Sequence, residues 1–143
     1  MTVKVVVGID GSEESHRAVE WCADYAAGLG AEIVAVHAID LPVIASPMAT
    51  AIPMPQFSEV DREALKEVAT KEWCAPLSER GVPFRVVVID GNPALAIMEV
   101  AKDEDADLVV TGRRGRGGFT ELVLGGTSYA LTHHLNRPLL IVP

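Results

Sequence analysis

The sequence predicts an α/β fold, a doubly wound five-stranded parallel sheet with helices on both faces. Three observations predict it. Apolar, β-branched runs recur at residues 3–9, 33–38, 84–89, 107–111 and 139–142. They lack the apolar–polar alternation of a strand with one wet face, so they read as strands buried on both sides. Segments with helical spacing or helix-boundary residues separate them, and that alternation implies parallel pairing through right-handed crossovers.

The first strand, 3–9, is almost entirely apolar apart from Lys4. Asp10-Gly11-Ser12 is a turn and cap signal, and Glu13 and Glu14 fall where a helix N-terminus favours negative charge. Ala18, Val19, Cys22, Tyr25, Ala26 and Leu29 then repeat at helical spacing until Gly30 stops the helix. The second strand is 33–38. Residues 41–57 carry Pro42, Pro47, Pro53 and Pro55 and are too proline-broken for a helix or a strand. They read either as a surface loop packed on the core or as a flap over a ligand or partner surface.

Residues 58–79 read as one helix, with Leu65, Val68, Ala69 and Leu77 on its apolar side and Pro76 kinking it or ending it early. The third strand is 84–89. A short helix at 93–102 has Pro93 in its first turn. The fourth strand is 107–111, the last helix ends near Asn136, and the fifth strand is 139–142. No repeat or linker divides the chain, so a single domain over 1–143 is expected.

Composition narrows the function. Hydrophobic residues make up 49% of 143, enough for a substantial core, while the net charge is -8. That charge argues against binding nucleic acid or an anionic membrane surface through the general field. Cys22 and Cys74 sit beside Trp21 and Trp73 with no metal spacing, and read as buried reduced thiols of a cytoplasmic protein. Asp10 interrupts the only N-terminal apolar run, so no signal peptide is expected. No run approaches the roughly 18 apolar residues that span a membrane.

The chemistry concentrates after the fourth strand. Gly112-Arg113-Arg114-Gly115-Arg116-Gly117-Gly118 leaves it, and Gly125-Gly126-Thr127-Ser128 opens the next helix. Glycine-dense backbone lets N–H groups approach an anion, and a helix N-terminus presents unpaired donors, so the pair reads as a cradle for a phosphorylated ligand. If the first three strands wind one way and the chain returns to the other side of strand one, the order reverses between strands one and four. Ligands bind at such a reversal, beyond the carboxyl ends of the strands. Asp10 and Gly112 then converge on one crevice, with His37-Ala38-Ile39-Asp40 beside it.

These residues carry a resemblance. Val7-Gly8-Ile9-Asp10-Gly11-Ser12, His37-Ala38-Ile39-Asp40, Gly91-Asn92-Pro93, the 112–128 segment and the closing Arg137-Pro138-Leu139-Leu140-Ile141-Val142 resemble the universal stress protein family, over the whole chain. Its nucleotide-binding members carry G-x2-G-x9-G followed by Ser or Thr, and Gly112, Gly115 and Gly125 match that spacing. The resemblance implies an adenine nucleotide alpha hydrolase-like, Rossmann-like three-layer sandwich that binds ATP in a stress-response regulatory role. It implies that Gly8 belongs to the site, that Asp10 lies near the ribose and adenine end, and that the Ala38 backbone meets the adenine edge. Gly112, Arg113, Arg114, Gly115, Arg116, Gly117 and Gly118 would wrap ribose and phosphates, with one or two of the arginines on phosphate. Gly125, Gly126, Thr127 and Ser128 would hold the outer phosphates. Mg2+ would join Asp10 if that carboxylate faces the phosphates.

One residue departs from the pattern. Gly126 stands where the family has a hydroxyl, and a lost hydrogen bond to a charged group costs about 1.5–3 kcal/mol, which lowers ATP affinity or moves preference towards AMP or ADP unless Thr127 or Ser128 substitutes. His16, His37, His133 and His134 have no metal-site spacing, and His37 reads as packed at a strand end. No P-loop and no Ser-His-Asp or Cys-His set is present, so at most weak ATP hydrolysis is expected. The alternatives are a nucleotide-free scaffold and a very slow ATPase. The apolar strand at 138–142 would lie at a sheet edge, and with the resemblance it implies a homodimer paired there.

Overall fold

The purest valine run lies at the centre of the sheet. That run is β1 (Lys4–Gly8), followed by α1 (Glu13–Leu29) and β2 (Glu32–Ile39). Two short strands come next, β3 (Val43–Ala45) and β4 (Ala51–Pro53). α2 (Glu59–Val68) runs through a π-helical turn at Ala69–Trp73 into α3 (Ala75–Glu79). β5 (Phe84–Asp90), α4 (Pro93–Asp103), β6 (Leu108–Gly112), α5 (Gly126–His134) and β7 (Leu139–Val142) complete the order. The structure is a computed structural model that describes residues 2–40, 43–45, 51–53, 58–113 and 125–143, with the backbone alone at 43–45 and 51–53.

The main sheet has the order β5-β2-β1-β6-β7, and every adjacent pair is parallel. Val5 of β1 pairs with Ile33 of β2 on one side and with Leu108 of β6 on the other. The chain winds outward through β2 and β5, then crosses back, so the reversal lies between β1 and β6 as the sequence predicts.

Successive side chains of a strand point to opposite faces. Val5 and Val7 therefore join a core under α1 and α3, with Val19, Cys22, Ile33 and Leu77. Val6 joins a second core under α4 and α5, with Val34, Ile97, Val109 and Leu131. Two covered faces explain why these strands show no polar alternation. Burying each such side chain contributes about 1.5–3 kcal/mol.

Local chemistry sets the helix ends. The Ser12 hydroxyl accepts from the Ser15 N–H at the start of α1, and Gly30 ends that helix at φ 61°, its N–H donating to the carbonyls of Ala26 and Ala27. The expected single helix over 58–79 is instead three pieces. The Cys74 N–H donates to the Ala69 carbonyl at 2.9 Å, a bond five residues long that forms the π turn. It brings Ala69 and Cys74 to one buried face and lets Pro76, which has no N–H to offer, sit in the first turn of α3. Val68, expected on the apolar side, is 39% exposed, because Ala69 takes the buried position.

Residues 41–57 also depart from expectation. β3 and β4 form an antiparallel pair in register Val43↔Pro53, Ile44↔Ile52 and Ala45↔Ala51. Pro53 is tolerated because it ends a strand in a ribbon that, among the described residues, has only two strands. Residues 41–42, 46–50 and 54–57 lie outside the described residues. At the other end of the chain, α5 stops at His134, short of Asn136, where Leu135 turns extended.

Both cysteines are buried and unpaired as disulfides. Burial, and then the neighbouring Cys74 thiol, push the Cys22 thiol up to about 12. Burial alone takes Cys74 to about 12. Neither forms a reactive thiolate at neutral pH. Among the described residues no helix is long and apolar enough to cross a membrane.

Candidate functional site

Three backbone features meet where the chain order reverses. The first is the turn after β1. The Asp10 carboxylate accepts from the Ser12 N–H at 2.9 Å, and the Asp10 N–H donates to the Ser15 hydroxyl at 3.1 Å. Asp10 is thus built into the turn ahead of α1, while the cap itself is Ser12. Gly11 sits at φ 79°, and an added Cβ there would lie 2.8 Å from the Trp73 indole.

The second is the end of β6. A Cβ on Gly112 would come within 2.8 Å of the Glu14 carbonyl carbon and oxygen, so glycine is required there for α1 to approach. The Arg113 N–H donates to the Val142 carbonyl at 2.8 Å and continues the pairing with β7.

The third is the start of α5. Gly125 is its N-cap, and its N–H donates to the Arg113 carbonyl at 2.8 Å. The buried Ser128 hydroxyl donates its one proton between the carbonyls of Gly112, at 2.6 Å, and Arg113, at 3.0 Å. These bonds latch the helix start to the end of β6. By helix geometry the N–H groups of Gly126, Thr127 and Ser128 have no partner within α5.

The cleft between these features encloses about 80 Å³, room for a base edge, so a whole nucleotide would extend beyond it. Of the residues the sequence nominates, Gly8, Asp10, Ala38, Gly112, Thr127 and Ser128 line it together. Gly125 and Gly126 stand next to them at the helix start. Arg113 follows Gly112 at the end of β6, and among the described residues its buried Nε has no hydrogen-bond partner. Arg114, Gly115, Arg116, Gly117 and Gly118 lie outside the described residues.

Several lining residues were not nominated. Ser15 reads as an ordinary first-turn residue, and Thr111, Pro93 and Ile97 as core or helix boundary. His37 is packed at its strand end as expected, yet it also faces the cleft. Its place directly before Ala38 was the available signal.

The donor set fits a phosphorylated, aromatic-bodied ligand. Ile97, Val36 and Ala38 supply apolar wall, and the start of α5 at Thr127 and Ser128 supplies backbone donors suited to an anion. It fits a metal less well. Among the described residues no group of three or more His, Cys, Asp or Glu side chains gathers. A Mg2+ at Asp10 would therefore depend on one carboxylate and the ligand's own phosphates.

The latch makes a measurable prediction. Ser128→Ala removes the shared proton from two carbonyls at a buried position. Unfolding by denaturant is expected to show a loss of about 1–3 kcal/mol.

A doubly wound five-stranded parallel sheet with helices on both faces defines an α/β domain of the Rossmann-like kind. The chain belongs to the universal stress protein family, whose model matches residues 1–143. It is 38% identical over 140 residues to the universal stress protein Rv2005c of Mycobacterium tuberculosis, covering 96% of this chain and 44% of that one. The chain thus spans less than half the length of the mycobacterial relatives it matches. It is 31% identical over 146 residues to the universal stress protein YxiE of Bacillus subtilis, with 97% of each chain covered. Among solved structures, a universal stress protein in complex with cAMP superposes with a TM-score of 0.70 at 25% identity, covering 99% of this chain and 96% of that one.

Proposed function

We propose that this chain binds an adenine nucleotide in the cleft between the carboxyl ends of β1 and β6, and acts as a regulatory module in a stress response rather than as an enzyme. The observation that carries the reading is the latched start of α5. It brings to the cleft a helix start whose N–H groups at Gly126, Thr127 and Ser128 have no partner within α5, and Thr127 and Ser128 line the cleft. The cAMP held by the solved relative supports the same ligand class. Gly8, Asp10 and Ala38 would receive the base and ribose. Gly112, Arg113 and the segment Arg114, Gly115, Arg116, Gly117 and Gly118 would follow the phosphates to Gly125, Gly126, Thr127 and Ser128.

Gly126 tunes the phosphate preference. Among the described residues a Cβ there meets nothing within 4 Å, so these leave room for the hydroxyl that the family motif carries. Calorimetric titration with ATP, ADP and AMP tests the reading. Wild type is expected to bind at least one of them, and Gly126→Ser to bind ATP about tenfold more tightly, the worth of one hydrogen bond to a charged group. No heat with any of the three, from wild type or variant, contradicts it. The same proposal includes a homodimer through β7, an apolar outer strand of the sheet.

A further inference from the structure

One side chain in the cleft is equipped to tell purines apart. The His37 Nδ1 lies 2.8 Å from the Ile9 carbonyl oxygen. A carbonyl only accepts, so Nδ1 carries the proton and donates. In the uncharged ring Nε2 is then a bare acceptor. The ring cannot turn freely to exchange these roles, because it also meets the Trp73 indole edge-on, with centroids 5.1 Å apart and planes at 73°. Trp73 is itself seated on Gly11, where even a methyl group would strike the indole. The π turn delivers Trp73 to that place, so β1, β2 and the π turn together fix the imidazole. His37 lines the same cleft as Gly8, Ala38 and Gly112.

We infer that His37 is a specificity-determining residue that reads the 6-position of a purine, its Nε2 accepting a hydrogen bond from a 6-amino group. The inference rests on the reading of this cleft as a nucleotide site and adds the group that selects the base. A 6-amino purine offers an N–H to the lone pair. A 6-oxo purine sets lone pair against lone pair and must shift to bring its N1–H across. A purine with hydrogen at position 6 offers nothing. The apolar wall of Val36 and Ile97 accepts all three bodies alike, so discrimination falls on the polar groups at that edge, the His37 ring beside the Ala38 backbone, and His37→Asn isolates the share of the ring.

The test titrates the full chain with AMP, IMP and purine riboside 5′-monophosphate. Wild type is expected to bind AMP about tenfold more tightly than either analogue. His37→Asn offers an amide N–H to the Ile9 carbonyl in place of Nδ1 and has nothing at the position of Nε2. In that variant the ratios are expected to fall within about twofold while AMP still binds. A long-range 1H–15N spectrum of wild type gives a readout that needs no variant: AMP moves the His37 Nε2 resonance and IMP leaves it in place. Equal affinity of wild type for AMP and IMP, an unchanged ratio in His37→Asn, or an Nε2 resonance indifferent to AMP overturns the inference and leaves nucleotide binding standing. Failure of wild type to bind any of the three overturns both.

Discussion

Gly112→Ala is expected to cost about 3 kcal/mol of stability, the upper end for overpacking, and to abolish nucleotide binding. The added carbon would sit 2.8 Å from the carbonyl carbon, carbonyl oxygen and Cβ of Glu14. Those atoms belong to the first turn of α1, which the Ser12 cap and the Asp10–Ser15 bond hold in place. Backbone cannot swing aside as a side-chain tip can. The Ile97 Cδ1 facing Gly8 is such a tip, so Gly8→Ala should cost less despite a nominal 2.7 Å approach. Relief at Gly112 requires α1 and β6 to separate, and that opens the cleft on the side where Gly112 and the Asp10 turn converge. Denaturant unfolding measures the first effect and titration the second.

Leu131→Ala is the other large effect. α5 has only two buried residues, Ser128 and Leu131. Leu131 is 0% exposed in the core beneath α4 and α5. Truncating a buried leucine costs about 2–5 kcal/mol, through lost transfer energy and the cavity left behind. Because Leu131 is the one fully buried apolar side chain of this helix, part of the loss should appear as local opening, with faster amide exchange in 126–134 than in β1. The three N–H groups at its start would then be delivered by a loosened helix, so affinity falls along with stability. A Leu131→Ala protein with unchanged exchange in α5 would show that the helix is held by something other than this contact.

Most of the fold could be read from the chain because its strands are pure. The unbroken apolar runs Val5-Val6-Val7 and Ile33-Val34-Ala35-Val36 can serve only a sheet covered on both faces, and that requirement forces helices between the strands. The break in the 58–79 helix could not be read. Every residue through Trp73 tolerates a helix, and the π turn answers a demand from elsewhere, the joint burial of Ala69 and Cys74 against α1. The β3–β4 ribbon was hidden by Pro53, whose lack of an N–H matters only in a paired interior strand.

At the site, Asp10 and Gly112 were predictable together because their meeting follows from strand order alone. Hydroxyl direction has no trace in a sequence. Ser128 reads as a phosphate ligand, yet its proton is held by the Gly112 and Arg113 carbonyls, so its contribution to a ligand is its N–H and the latch. His37 was legible as a packed residue. Its second role depends on which ring nitrogen the Ile9 carbonyl occupies, a matter of a single distance.

Amide chemical-shift mapping on the full chain with AMP and ATP tests the central claim most directly. The account predicts the largest shifts at Gly8, Asp10, His37, Ala38, Gly112, Arg113, Gly126, Thr127 and Ser128, all at the carboxyl ends of β1, β2 and β6 or at the start of α5. Silence at those amides, or shifts gathered instead at the opposite end of the sheet around the Lys4, Arg85 and Glu104 ion cluster, would contradict it.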